Sequence, residues 1–337
     1  MKIALVAPAF GQTGGPEVMV KTLAESLTKK GVDITVFAPA DWKTTAKHMH
    51  SIPQSLWNMT GFKDQTMTLR RNFQMASQTT VLKFQDTFDL IHLNVPSFAA
   101  AAIAGAKIPV LLSAHSRIPK DEFLQLKKLG AHIVALSHAQ AKKLPYDSVI
   151  WNGLNVSEIQ PSFEPGKYLV TIGRLTDQKG IHSAINIAKK ARVPLIIIGR
   201  VGNGADRQVY FKEQIKPYID GDMVRHLDTI PHEEIFSYLR SAKALLFPIV
   251  RAETFGLVVA EALACGTPVI GTRVDPLPEL LTDSSISFLS DDLDELANVA
   301  AHTERFDRQT CRRYAEEHFS TERMADEYIA LYKDLLK

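Results

Sequence analysis

Strand-like and helix-like runs alternate along the whole of this chain, and that alternation confines it to α/β architectures built on parallel sheets. In the first half the apolar strand runs are Ile3–Ala7, Ile34–Ala38, Leu90–Val95, Val110–Ser113, Ile133–Ser137 and Val149–Trp151. Between the first two, Pro16 to Lys30 sets Val20, Leu23, Ala24 and Leu27 on one helical face, carries Pro in its first turn and stops at Gly31. Pro161-Ser-Phe-Glu-Pro-Gly166 breaks the pattern, which restarts with Tyr168–Ile172, Leu195–Ile198, Val224–Leu227, Ala244–Phe247 and Val269–Gly271. At 337 residues the chain exceeds the usual size of a single core. Two doubly wound domains are therefore expected, residues 1–162 and 163–320, with ligands in a cleft beyond the carboxyl ends of the strands. The last helix, Thr321 to Leu336, repeats Ala325, Tyr328, Ile329, Tyr332 and Leu336 on one face, so residues 321–337 need a surface to pack against. Residues 39–87 lack a clean period and read as an irregular excursion, a place for an acceptor, with His48, His50, Trp57, Met59, Arg70 and Arg71 scattered through it.

The strand ends carry the chemistry. Glu253-Thr-Phe-Gly-Leu-Val-Val-Ala-Glu261 runs on to Pro268, so two carboxylates bracket a glycine-containing loop that opens an apolar helix ending at Gly266. A helix opening presents unpaired N–H groups and a positive dipole end, which suit an anion such as a diphosphate. An ionised carboxylate at that opening is acceptor-only, and its natural partners are hydroxyls, in which sugars are rich. Diphosphate and polyol together describe a nucleotide sugar. A Glu at a helix opening also gains roughly 0.3–1 kcal/mol from the dipole with no ligand at all. What favours function is a second loop in the same domain, Gly173-Arg174-Leu-Thr-Asp-Gln-Lys179-Gly180, where Arg174 as a fork and Lys179 as a point charge can reach a diphosphate from two directions. Thr176 or Asp177 is expected to cap the helix that follows.

In the first half, Pro8-Ala-Phe-Gly-Gln-Thr-Gly-Gly15 lies between a strand and a helix, where glycines let backbone approach a phosphate, although a purely structural turn fits as well. The spacing of Gly11, Gly14 and Gly15 is not GxGxxG, and Ile34–Ala38 ends in Pro39 rather than an acid, which disfavours NAD. His115 follows the strand Val110–Ser113, a position for a ligand contact or equally for a cap. Asp220-Gly-Asp222 and Asp292-Leu-Asp294 both spell Asp-x-Asp, but one reads as a turn and the other as a helix start, so no metal site is expected.

Composition excludes several classes. Two cysteines, Cys265 and Cys311, without CxxC spacing give neither a disulfide framework nor a zinc site and fit a cytoplasmic setting. Val95 to Ala114 is nearly all apolar, but Lys107 and Pro109 interrupt it, so a buried helix (Phe98 to Ala106) and a buried strand (Ile108 to Ser113) are expected rather than a membrane span. Residues 1–163 carry 17 Lys/Arg against 11 Asp/Glu, and residues 164–337 carry 22 against 26, so the halves stand at +6 and −4. A basic first half suggests an anionic neighbour such as a phosphorylated acceptor or the inner membrane face, or else only an uneven solvated surface.

Taken in chain order, these motifs resemble the retaining glycosyltransferases of family 4, which have the GT-B fold. The resemblance runs through Gly14-Gly15-Pro-Glu with its Leu-Ala-Glu-Ser-Leu helix, Ala135-Leu-Ser-His-Ala-Gln, Trp151-Asn-Gly-Leu-Asn155, Gly173-Arg-Leu…Lys179-Gly180, Glu253-x7-Glu261 and Gly266-Thr-Pro-Val-Ile-Gly271. It implies two Rossmann-like domains facing a central cleft, acceptor side first and donor side second, with the last helix crossing back to the first domain. It implies that Arg174 and Lys179 neutralise the donor diphosphate, with Gly173 in their loop. Glu253 would accept from donor-sugar hydroxyls, with backbone from Thr254, Phe255, Gly256, Leu257 and Val258 assisting, and Glu261 would bind the ribose. Gly14 and Gly15 would let the first domain approach the phosphate, His115 would touch the donor sugar, and Gly199, Arg200 and Ile230 would line the base pocket. Asp275 departs from the glycine that many members carry after Thr-Arg-Val.

The expectation is a retaining hexosyltransferase that moves sugar from a UDP- or GDP-type donor to a hydroxyl of a glycan, lipid-linked sugar or small metabolite. It implies no metal, no cofactor and no nucleic-acid partner. A nucleotide-sugar epimerase of the same fold and a non-catalytic nucleotide-sugar-binding subunit are the alternatives.

Overall fold

The computed structural model describes residues 1–12, 14–59, 67–164 and 166–337, with Met67 described through its backbone alone. Thr13 of the N-terminal loop, residues 60–66 of the 39–87 excursion and Pro165 of the break lie outside the described residues. The chain divides into two units, Met1–Leu154 with Ser320–Lys337, and Asn155–Phe319, the division falling upstream of the Pro161–Gly166 break.

The first unit is built on strands β1 (Lys2–Val6), β2 (Asp33–Ala38), β3 (Lys47–His50), β4 (Leu90–Leu93), β5 (Val110–Ser113), β6 (His132–Ala135) and β7 (Ser148–Val149). They form one sheet in the order β3-β2-β1-β4-β5-β6-β7, every pair parallel. Strand β3 corrects the expectation of an irregular 39–87 segment. Its sequence Lys-His-Met-His has no apolar run because it pairs only with β2 at the sheet edge and leaves both ends exposed. The excursion also contains a helix, Met67–Thr79. Its earlier part folds onto the N-terminal loop: the Trp42 indole donates to the Phe10 carbonyl at 3.0 Å, and the Leu56 N–H donates to the Ala9 carbonyl at 3.0 Å.

The second unit is built on β8 (Tyr168–Ile172), β9 (Leu195–Ile198), β10 (Val224–Leu227), β11 (Ala242–Phe247), β12 (Val269–Gly271) and β13 (Ser287–Leu289). The order is β10-β9-β8-β11-β12-β13, again parallel throughout. Here β8 lies between β9 and β11, so successive crossovers run to opposite sides of it. That reversal opens a crevice beyond the carboxyl ends of β8 and β11, where ligands of open parallel sheets bind. In the first unit β1 lies between β2 and β4 and makes the same reversal.

The apolar Val95–Ala114 window resolves into a helix, Ala99–Gly105, and the buried strand β5. Among the described residues no helix is long and apolar enough to cross a membrane. The final helix, Thr321–Leu335, is capped by the Ser320 hydroxyl and buries Met324, Ala325, Tyr328 and Tyr332 in the core shared with Val20, Leu23 and Leu27 of the Gly15–Lys29 helix. Each large apolar side chain so buried contributes roughly 1.5–3 kcal/mol. Its two tyrosines reach the sheet. The Tyr332 hydroxyl meets His92 Nδ1 at 2.7 Å, His92 Nε2 meets the Ser113 hydroxyl at 2.7 Å, and the Ser113 hydroxyl meets that of Tyr328 at 2.7 Å.

Candidate functional site

Two loops of the second unit meet beyond the reversal point. The first follows β8 and the second follows β11. The expectation that Thr176 or Asp177 caps the next helix is corrected: Asp177–Lys179 forms a 3-10 turn, and the helix Ile181–Ala191 begins after Gly180 without a side-chain cap. Gly180 has φ +64°, and a Cβ there would lie 1.8 Å from the Pro248 carbonyl oxygen. The two loops therefore touch backbone to backbone, and the Val250 N–H donates to the Gln178 carbonyl at 3.0 Å. A Gly180→Ala variant is expected to lose at least about 1–3 kcal/mol from the left-handed backbone alone, readable as a lower urea midpoint.

This contact brings together Lys179 and Glu253. The ammonium lies 2.5 Å from Glu253 Oε1, with both side chains about 15% exposed. Lys179 also stands over the Phe247 ring at 5.1 Å. Its stem runs across Gly173, where a Cβ would come within 3.3 Å of Lys179 Cε; Gly173 adopts φ +152°, a glycine conformation. Gly199 at the end of β9 has φ +153°, and a Cβ there would lie 1.8 Å from the Gly173 carbonyl oxygen, so the β8 and β9 ends are held against each other. An ammonium has three donors and a carboxylate two acceptor oxygens. Their mutual contact uses one of each, which lets the pair present both a cation and an acceptor to one ligand.

Glu253 is held by its own backbone, whose N–H donates to the Asp275 carbonyl at 3.1 Å. Phe255 is buried edge-on against Phe319. Gly256, at φ +101°, then turns the chain into the helix Leu257–Ala264. The Gly256–Val258 segment thus sits at a helix opening, with Thr254 and Val258 half-buried beside it. Arg174 is exposed and lines a cavity of about 300 Å³ with Asp177, Gln178, Asp206, Arg207 and Tyr210.

The other acid of the motif, Glu261, is buried on the same helix and accepts from His232 Nε2 at 2.8 Å. His232 opens the helix His232–Arg240 directly after Ile230 and Pro231, and its ring meets Phe236 edge-on at 5.1 Å. The hydrogen bond that His232 donates to Glu261 raises the His232 pKa above its ordinary value. The stability from this pair is therefore present below about pH 6.5 and fades as pH rises through the raised pKa. His232 joins Ile230 beyond the end of β10 as a residue that the sequence motifs do not single out. A histidine opening a helix beyond a strand end was the available signal. Gly199, Arg200 and Ile230 lie at the ends of β9 and β10, with Arg200 exposed.

The remaining expected residues belong to the first unit. Gly14 caps the helix Gly15–Lys29 through its backbone. His115 follows β5, and its Nε2 donates to Asn94 Oδ1 at 3.1 Å while the Asn94 amide donates to the Val6 carbonyl at 3.2 Å. Burial lowers the His115 pKa to about 4, so its imidazole is neutral near pH 7. Of the two Asp-x-Asp motifs, Asp220 accepts from the backbone of Asp222 and Val224 in a turn, and Asp292 caps the helix Leu293–Ala301.

Two parallel doubly wound units, each reversing direction at its central strand, have the architecture of the GT-B fold found in glycosyltransferases. A model described as Glycosyltransferase Family 4 matches residues 13–156, and one described as Glycosyl transferases group 1 matches residues 155–317. The chain belongs to glycosyltransferase family 4. It is 27% identical over 337 residues to the phosphatidyl-myo-inositol mannosyltransferase of Mycolicibacterium smegmatis, covering 88% of this chain and 83% of that one. It is 23% identical over 341 residues to the D-inositol 3-phosphate glycosyltransferase of an Arthrobacter strain, covering 84% and 80%. Among solved structures, Anabaena HepE in complex with UDP and glucose aligns with a TM-score of 0.76 at 20% identity, over 99% of this chain and 100% of that one. A glycosyltransferase involved in avilamycin A biosynthesis aligns with a TM-score of 0.75 at 20% identity, over 100% and 98%.

Proposed function

We propose that this glycosyltransferase takes a hexose from a nucleoside-diphosphate donor of the UDP or GDP type and transfers it, with retention and without a metal, to an acceptor hydroxyl. The observation that carries the reading is the Lys179–Glu253 pair beside the Gly256 helix opening, a cation and an acceptor side by side, which supports a diphosphate with an attached sugar as the ligand. The acceptor oxygen bonds to the anomeric carbon on the face that the diphosphate leaves, the carbon–oxygen bond to the diphosphate breaks, and the acceptor proton passes to a leaving phosphate oxygen. Lys179, Arg174 and the helix opening stabilise the charge that grows on that leaving group. Glu253 takes hydroxyls of the hexose, and Glu261 takes those of the ribose.

The first unit is assigned the acceptor, with His115 as a neutral hydrogen-bonding group. The +6 charge of residues 1–163 supports an anionic acceptor or a lipid surface at the cytoplasmic membrane face. The relatives named for inositol-containing acceptors support a lipid or phosphorylated polyol as the class to test first.

A thermal-shift screen over UDP, GDP, ADP and TDP sugars tests the donor assignment. A ligand at 100 times its Kd adds about 2.7 kcal/mol of stability, so one base is expected to raise the melting temperature clearly above the others. The stabilising donor, incubated with phosphatidylinositol or inositol phosphate, should yield a glycosylated acceptor with unchanged anomeric configuration. An epimerised donor formed without acceptor, or binding with neither transfer nor donor hydrolysis, contradicts the assignment.

A further inference from the structure

We infer that His232 is a positioning residue that fixes the Glu261 carboxylate for the ribose hydroxyls of the donor and so sets the preference for ribonucleotides over deoxyribonucleotides. The inference rests on the donor reading given above.

Glu261 projects from the helix Leu257–Ala264 and is nearly buried, with its side chain 10% exposed. A long acidic side chain in that setting has several rotamers, and ordering it costs entropy at binding unless something has already fixed it. His232 supplies that restraint from a different helix. Its ring is held from one side by the Phe236 edge and donates from Nε2 to Glu261 Oε1 at 2.8 Å. The helices are themselves fixed together, since Cys265 Sγ on the Glu261 helix reaches the Phe236 carbonyl at 3.8 Å. With Oε1 engaged by the imidazole, the carboxylate is restrained and Oε2 is its second acceptor, suited to a vicinal diol. The His232 side chain is 46% exposed, so this pair faces accessible space and not the apolar core.

A fixed acceptor discriminates hydroxyl from hydrogen more strongly than a mobile one. A mobile carboxylate can swing to water or to the remaining hydroxyl when one is missing. A carboxylate pinned by His232 loses a charge-assisted hydrogen bond outright when the 2′-hydroxyl is absent.

The test is calorimetric titration of the wild-type protein, His232→Ala, His232→Gln and Glu261→Gln with UDP, GDP and ADP, and with the 2′-deoxy form of each. For whichever base binds, wild type is expected to favour the ribonucleotide by about tenfold, the worth of one charge-assisted hydrogen bond. His232→Ala is expected to bring that ratio to about two or three, and His232→Gln, which keeps an N–H donor, to restore most of it. A merely structural role would weaken both nucleotides equally and leave the ratio unchanged. Glu261→Gln separates the two levels of the account. If Glu261→Gln abolishes the preference while His232→Ala leaves it intact, the positioning role is overturned and the donor site stands. If Glu261→Gln also leaves affinity and ratio intact, or no nucleotide binds, the ribose assignment itself is overturned.

Discussion

Replacing Lys179 with alanine is expected to lower kcat/KM by about 100- to 1000-fold, equivalent to roughly 2.7–4 kcal/mol of transition-state stabilisation. The side chain is held over Gly173 and the Phe247 ring and paired with Glu253 at 2.5 Å, so its position needs little reorganisation on binding. As the bond to the leaving group breaks, negative charge gathers on the diphosphate, and a cation fixed in a partly buried loop acts most strongly at that moment. The substitution also leaves Glu253 without its ion-pair partner, which costs some stability. The double variant Lys179→Ala/Glu253→Gln removes that unpaired charge and is expected to regain stability but no activity. Near-normal turnover by Lys179→Ala, measured by release of free nucleotide at saturating acceptor, would contradict the role.

Acid is expected to destabilise the first unit through the imidazoles of His92 and His115. His92 is fully buried between the hydroxyls of Tyr332 and Ser113, and burial lowers its pKa to about 3, with the neighbouring His115 adding to the shift. A neutral imidazole has one donor and one acceptor, and hydroxyls can take either complementary part. The folded-state pKa lies below the ordinary value near 6.5, so the unfolded chain binds the proton first. The contribution is complete above about pH 6.5 and is lost as pH falls toward the folded-state values of about 4 for His115 and about 3 for His92. At pH 5 the loss attributable to His92 is about 2 kcal/mol, and by pH 4 about 3 kcal/mol. His232 and Glu17, whose pKa values are raised, change in the opposite sense. Urea unfolding at pH 7, 6 and 5 separates the contributions when repeated with His92→Gln. That variant is expected to be less stable at pH 7 yet to lose less between pH 7 and 5. An identical pH slope in the two proteins would contradict the assignment.

The strands buried on both faces were legible because they are short apolar runs bounded by Gly, Pro and polar residues. Val110–Ser113, Tyr168–Ile172 and Leu195–Ile198 occupy the spans read from sequence. Edge strand β3 was not legible, since an edge strand needs no apolar face and Lys-His-Met-His offers none. Ser287–Leu289 adds a strand at the other edge of the second sheet, too short to show a period. For the site, the loops after β8 and β11 could be read because glycines, cations and acids gather at strand ends. The Lys179–Glu253 and His232–Glu261 contacts could not, because they depend on which strands lie side by side, and β11 returns to pair with β8 after two intervening strands. The His92–Tyr332 contact was equally hidden. Tyr332 showed only as part of an apolar helix face, while its hydroxyl is what reaches the sheet.

A crystal structure of the protein with the nucleoside-diphosphate sugar selected by the thermal screen tests the account most directly. It should place diphosphate oxygens within hydrogen-bond reach of Lys179 Nζ and the backbone at Gly256–Val258, hexose hydroxyls on Glu253 and ribose hydroxyls on Glu261. A diphosphate bound elsewhere, with Lys179 and Glu253 engaging only each other, would contradict it.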